Sequence, residues 1–188
     1  LYSGATRAVQ AAENEQDLIR IEFVFPNINW NVNSPLQAFA TNTLLNDGTS
    51  EFSAAQIADR IDFYGAFLQT EYNYDQATVT LYTLNKHLAV TLPIVRSVIT
   101  DSIFPQVEID TFILNQKQKL SVNLEKNDFV GRKVFNEVLF DKTLYGYDIT
   151  AKDYDQLDRK QLTEYFKNES NCIYKIWSPG SCQINGGS

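Results

Sequence analysis

The side chains in this sequence that could do chemistry are few, and their spacing suits little of it. There is one histidine, His87, and there are two cysteines, Cys172 and Cys182. A Ser-His-Asp arrangement could draw only on His87, and no strand-to-helix Gly-x-Ser-x-Gly turn accompanies it. Lys86 and Leu88 beside it read as a helix start, so His87 is expected to be a surface or capping histidine. Cys172 lies in the apolar run CIYKIW and reads as a small buried residue, while a bridge to Cys182 would close a short loop across Pro179-Gly180. Neither cysteine follows a metal-ligand spacing. The carboxylate pairs Asp59 with Asp62 and Asp153 with Asp155 suit helix starts and faces, whereas glycoside hydrolysis needs two acids across a cleft. Asp47-Gly48-Thr49 and Tyr145-Gly146-Tyr147 hold single glycines, too few to cradle a phosphate.

Composition bounds the partners. At 188 residues and 44% apolar content the chain is long enough for one well-buried domain. Twenty-three acidic against 16 basic residues give a net charge of -7, which argues against nucleic acid or an anionic membrane as the main partner. No apolar run approaches the ~18 residues that cross a bilayer. No basic segment followed by an apolar core reads as a signal peptide, and the first residue is Leu1. That absence says little about compartment, since a targeting signal can lie outside this stretch. The compartment is left open, periplasmic or secreted if the source is bacterial.

The elements that must position any site follow from periodicity. Residues 5–10 alternate weakly, and Asp17 to Pro26 alternates strongly, with Ile19, Ile21, Phe23 and Phe25 on one face. In the polar segment Asn27 to Asn33, Trp30 is expected to anchor the loop on the domain. Ser34-Pro35 reads as a helix start, and Leu36, Phe39, Ala40, Thr43 and Leu44 as that helix's inward face, stopped by Asn46-Asp47-Gly48. Ser53 caps a second helix with Ile57, Ile61 and Tyr64 as its stripe, and Gly65 ends it. FLQTEYN and Ala77 to Tyr82 form an antiparallel hairpin. Asn85 caps a third helix containing Pro93, Ile103-Phe104-Pro105 breaks the chain, and residues 108–126 and 129–140 continue helically. Val130, Val134 and Val138, with Phe129 and Leu139, are the apolar positions of the last of these. Thr150 or Lys152-Asp153-Tyr154 leads into a further helix, and Cys172 to Trp177 is the final strand. The pattern predicts an α+β two-layer domain, a mostly antiparallel sheet with helices on one face, over residues 1–180, with residues 181–188 as a tail.

The stretch from Ser34 to Asn73, SPLQAFATNTLLNDGTSEFSAAQIADRIDFYGAFLQTEYN, resembles the first domain of the insulinase-type zinc peptidases, which include pitrilysin and the mitochondrial processing peptidase. In that family a helix carries His-x-x-Glu-His, followed by Gly-Thr, a second helix, a glycine pair and an alternating strand. Gly48-Thr49 and Gly65-Ala66 stand in the corresponding places. Counted back from Gly48, the motif slots fall on Phe39, Ala40, Thr41, Asn42 and Thr43. The break at Ile103-Phe104-Pro105 and the segment Leu144-Tyr145-Gly146-Tyr147 are similar to the family as well.

The resemblance implies a metallohydrolase-type fold without its chemistry. Phe39 has no lone pair, the Thr43 hydroxyl is a poor ligand, and Asn42 accepts no proton. The family's third ligand would fall near Lys119-Leu120-Ser121, where no acid lies between Asp110 and Glu125. No catalytic residue, metal or cofactor is therefore expected in this chain, and the isolated chain is expected to be inactive. The implied role is the non-catalytic half or subunit of a peptidase chamber, beside an active insulinase-type subunit or domain. An extended peptide could pair with the strand Ile19 to Phe25 or with FLQTEYN. Two alternatives stand. One is the substrate-binding domain of an active zinc endopeptidase with its metal elsewhere, which would carry an arginine-tyrosine pair that no motif here places. The other is a stand-alone binding or scaffold protein.

Overall fold

The computed structural model describes residues 17–27, 30–168, 173–178 and 181–185. Five alternating segments make the sheet: β1 (Leu18–Pro26), β2 (Phe67–Tyr72), β3 (Gln76–Leu84), β4 (Ile173–Ser178) and β5 (Ser181–Asn185). Their order is β2-β3-β1-β4-β5, and every neighbouring pair is antiparallel. Ile21 pairs with Leu81 and Phe23 with Val79, so the period of two gathers Leu81, Val79 and Leu68 on the face that meets the helices. The opposite face carries Arg20 and Glu22, 3.5 Å apart, with the Arg20 guanidinium over the Tyr82 ring at 5.6 Å.

The helical layer consists of α1 (Gln37–Thr43), α2 (Ala54–Phe63), α3 (Leu88–Thr100), α4 (Gln106–Leu124), α5 (Asn127–Phe140), α6 (Ala151–Asp155) and α7 (Arg159–Asn168). Ala40, Ile57, Ile61, Val95, Val98, Ile109 and Leu162 converge from five of these helices on one core. Each fully buried valine, leucine or isoleucine there stabilises the fold by roughly 1.5–3 kcal/mol. The expected α+β architecture, an antiparallel sheet with a helical layer, is the one observed.

Local chemistry sets most boundaries as the sequence predicts. Ser53 and Gln56 form a reciprocal capping box at α2, with bonds of 3.0 and 3.3 Å. Gly65, at φ +60°, ends α2 in the left-handed conformation and turns the chain into β2. Phe104 also has positive φ, +48°, and is wholly buried with its ring 5.4 Å from that of Phe166. The Ile103-Phe104-Pro105 break thus drives an aromatic anchor into the core between α3 and α4.

Several expectations need correction. Ser34 does not cap α1: its carbonyl accepts the Gln37 N–H at 3.3 Å in a turn, and Leu36, 1% exposed, takes the boundary because its burial outweighs a cap. Asn85 does not cap α3 either: residues 85–87 form a 3-10 turn ahead of it and His87 holds the N-cap position, while the Asn85 N–H donates to the Asp17 carbonyl at 2.6 Å. Pro93 neither delays α3 nor ends it, because Ala89, whose carbonyl loses a donor, is exposed to water. The apolar positions Val130, Val134 and Val138 are exposed, and no residue of α5 is buried. The strand Ile19 to Phe25 is not an edge: β3 and β4 flank it on both sides. Residues 181–185, placed in the tail by the sequence, form β5 against β4 beyond Pro179-Gly180, a dipeptide suited to a turn. The alternation over residues 5–10, and Cys172 with its possible bridge to Cys182, lie outside the described residues.

Candidate functional site

α1 crosses the sheet beside β2, and its side chains are committed to that crossing. The Phe39 ring lies 5.5 Å from the Tyr72 ring of β2 and 5.5 Å from the Phe112 ring of α4. Three residues on, Asn42 is 3% exposed and its Nδ2 donates to the Glu71 carbonyl at 2.7 Å. The Thr43 hydroxyl donates to the Phe39 carbonyl at 2.8 Å, the back-bond common for a helical threonine.

β2 is an edge strand with backbone groups to offer. Among the described strands it pairs only with β3. The Asn73 N–H donates to the Gln76 carbonyl at 2.9 Å, which fixes the phase of the alternating ladder. Glu71, Gln69 and Phe67 therefore turn their N–H and C=O groups to β3, and those of Leu68, Thr70 and Tyr72 point away from it.

A two-part cleft opens at the end of that edge. Its first part, about 390 Å³, is apolar and is walled by Trp30, Leu36, Phe39 and Tyr72 among others. Its second part, about 460 Å³, lies between α4 and α5 and is lined by Lys119, Arg132 and Lys133 with the amides Gln116, Asn123 and Asn136. Tyr74, Tyr147, Ile149 and Tyr154 border both parts. Trp30 does fold its loop onto the domain, with its ring edge-on to Tyr147 at 5.8 Å.

Hydrogen bonds hold the cleft's rim. Asp153 accepts from the Tyr147 hydroxyl at 2.9 Å and from the Thr150 N–H and hydroxyl at 2.7 and 2.8 Å. Burial, and then the neighbouring Asp153 carboxylate, push the Tyr147 and Tyr154 hydroxyls above the usual tyrosine range. The Tyr145 hydroxyl donates to Asp75, and Lys133 pairs with Asp148. At Gly146 a Cβ would sit 2.2 Å from the Asp141 carbonyl oxygen, so the turn from α5 into the rim closes only over a glycine.

The other chemistry-bearing residues are scattered. His87 stacks at 5.3 Å on Tyr64 and its carbonyl accepts the Thr91 hydroxyl at 3.0 Å, at the start of α3. Asp155 pairs with Lys117 at 2.7 Å, while its sequence neighbour Asp153 serves the rim.

No protein-family model and no curated protein matches the sequence. Solved structures do match the fold. The peptidase M16 inactive domain from Pseudomonas fluorescens is 17% identical, superposes with a TM-score of 0.81, and is covered over 42% of its chain by 87% of this one. A protease from Helicobacter pylori gives a TM-score of 0.77 at 11% identity over 86% of this chain and 41% of its own. The periplasmic protease PqqL from Escherichia coli gives 0.72 at 10% identity over 87% of this chain and 19% of its own. The fold is that of an M16 peptidase domain. This chain spans about two fifths of the length of the first two of these solved chains.

Within the M16 fold, zinc is implied at the slots held here by Phe39, Asn42 and Thr43, and their donor set does not fit it. Phe39 supplies a ring, and the Asn42 amide and the Thr43 hydroxyl donate to backbone carbonyls. Among the described residues no three His, Cys, Asp or Glu side chains are grouped to hold a metal ion. Lys119 and Leu120, where the third ligand would fall, do line the cleft, and they supply an ammonium and an alkyl chain. The sequence singled out Phe39 and Leu120, and both line the cleft. It did not find the aromatic and cationic walls, because Trp30, Arg132 and Tyr154 come together only through loops and helices distant in the chain.

Proposed function

We propose that this chain is a non-catalytic M16-type domain, one module of a longer polypeptide or assembly, that offers the β2 edge and the adjoining cleft to an extended peptide. One observation carries the reading: Phe39 and Asn42 are spent on holding α1 against β2 and α4 and Thr43 bonds back to its own helix, leaving an edge strand beside a cleft with no catalytic donor set. An added peptide strand would draw its backbone bonds from Leu68, Thr70 and Tyr72 and seat a side chain against Phe39. The module would form the inactive wall of a chamber whose chemistry belongs to an active insulinase-type subunit or domain.

The second reading, the substrate-binding domain of an enzyme whose metal site lies elsewhere in its own chain, draws support from the span. The solved chains from Pseudomonas fluorescens and Helicobacter pylori are each more than twice as long as the part this chain covers. Both readings place the same surface at the peptide.

The test uses Thr70→Pro. Its N–H points away from β3, so proline removes an edge donor and leaves the β2-β3 ladder intact. Labelled extended peptides are expected to bind the native chain without being cleaved and to bind the variant at least roughly tenfold more weakly, as for loss of edge backbone bonds. Cleavage by the isolated chain, or binding unaffected by the variant, contradicts the proposal.

A further inference from the structure

The charge of the cleft runs against that of the protein. The chain has a net charge of -7, with 23 acidic residues to 16 basic. The two parts of the cleft nevertheless contain three cations, Lys119, Arg132 and Lys133, and no aspartate or glutamate lines either part. Three acids at its rim are engaged with other groups: Asp153 with Tyr147 and Thr150, Asp75 with Tyr145, and Asp148 with Lys133. Asp128 reaches Arg132 only at 3.8 Å, with both side chains largely exposed. Lys119 has no ion pair among the described residues. Gln116, Asn123 and Asn136 add amide donors to the same wall.

α5 makes the cleft one-sided. It turns Phe129, Arg132, Lys133 and Asn136 toward the cavity, while Val138 and Phe135, 82% and 63% exposed, lie on its outer side. A cationic, amide-rich wall at the end of an edge strand, continuous with an apolar chamber, selects for a carboxylate beside a large apolar side chain.

We propose that the cleft reads an acidic residue next to an aromatic or large aliphatic residue in the peptide held by β2. The apolar side chain enters the Phe39 chamber, and the Asp or Glu carboxylate meets Lys119 and Arg132. This rests on the β2 reading above and names the class of peptide that reading leaves open.

The test is fluorescence anisotropy with three acetylated and amidated β-prone peptides that differ at one position, Phe-Glu, Phe-Gln and Phe-Lys. Blocking both ends removes the terminal carboxylate as a source of charge. The Glu peptide is expected to bind about tenfold more tightly than the Lys peptide at low salt, and the difference is expected to shrink at ~0.5 M salt. Lys119→Glu with Arg132→Glu should reverse the preference, and the milder Lys119→Gln should reduce it. All three changes are at exposed positions that leave the core untouched. Equal binding of the three peptides, still weakened by Thr70→Pro, overturns the carboxylate preference and leaves the edge-strand reading standing. A preference that survives the double reversal also overturns it, since the charge would then be read elsewhere. Binding of none of the peptides overturns both readings.

Discussion

The side-chain amide of Asn42 donates to the main-chain carbonyl of Glu71 at 2.7 Å, tying the motif helix to the edge strand. The residue that stands where the M16 resemblance calls for a general base is thus a structural tether. Asn42→Ala removes the bond in a site that is 3% exposed. The expected loss is about 1–2 kcal/mol, reduced by the Asn42 Oδ1, which has no partner among the described residues. Urea unfolding measures the loss, and hydrogen exchange should show β2 amides opening faster than those of β1.

Phe39 holds two elements at once, through Tyr72 and Phe112. Phe39→Ala is expected to destabilise by about 2–3 kcal/mol, below the range for a fully buried phenylalanine because Phe39 is half-buried. Phe39→Leu, which keeps most of the apolar contact, should lose about 1 kcal/mol. Thermal or denaturant melts of the two variants check the order.

Restoring the motif with Phe39→His, Asn42→Glu and Thr43→His is expected to destabilise rather than activate. It breaks the stack and the tether together and buries a carboxylate next to the Glu71 carbonyl, with a penalty on the order of 3–5 kcal/mol. Lys119 and Leu120 still supply no third ligand. A peptidase assay on the folded variant should read no zinc-dependent cleavage.

The Tyr72 hydroxyl gives the fold an alkaline limit. Burial, with Tyr74 beside it, pushes its pKa up to about 12 although Asn27 donates to it at 3.0 Å. Folded Tyr72 therefore holds its proton more tightly than an unfolded tyrosine, whose pKa is about 10. The associated stability is complete below pH ~10 and is lost as the pH rises toward about 12. Two pKa units set an upper bound of about 2.7 kcal/mol, and solvent access reduces the expected loss to about 1–2 kcal/mol. The raised Tyr147 and Tyr154 add in the same direction. Tyr72→Phe should flatten the dependence, as read by urea midpoints at pH 9 and pH 11.5.

Gly146→Ala tests the rim. Its Cβ would meet backbone at 2.2 Å, where no side chain can yield, so the turn after α5 must open. The expected outcome is a loss of more than about 2 kcal/mol with the cationic wall displaced, against a change within about 0.5 kcal/mol for Val138→Lys on the outer side of α5. Melts of the two variants make the comparison.

The sequence exposed those parts of the fold whose logic is local. Ser53 with Gln56, Gly65, and the alternation of Ile21 and Phe23 each act within a few residues, and each is where its pattern places it. Ser34 and Asn85 failed as caps because burial of Leu36 and a bond to Asp17 are tertiary facts that no capping pattern records. The β1 segment offered no sign of its rank in the sheet, since both edge and interior strands alternate when one face is partly polar. Val130, Val134 and Val138 have the spacing of a core stripe and yet face outward, because periodicity gives the stripe but not its direction. Phe39, Asn42 and Thr43 were legible as slots through resemblance. The cleft was not, for it is assembled from Trp30, α4, α5 and the segment around Tyr147 and Tyr154.

The most direct test of the central claim is the zinc stoichiometry of the purified chain, measured by equilibrium dialysis at micromolar metal. No tightly held zinc is expected, because Phe39, Asn42 and Thr43 are engaged in packing and backbone bonds and Lys119 repels a cation. One zinc per chain, held through dialysis and released by Asn42→Ala, would contradict it.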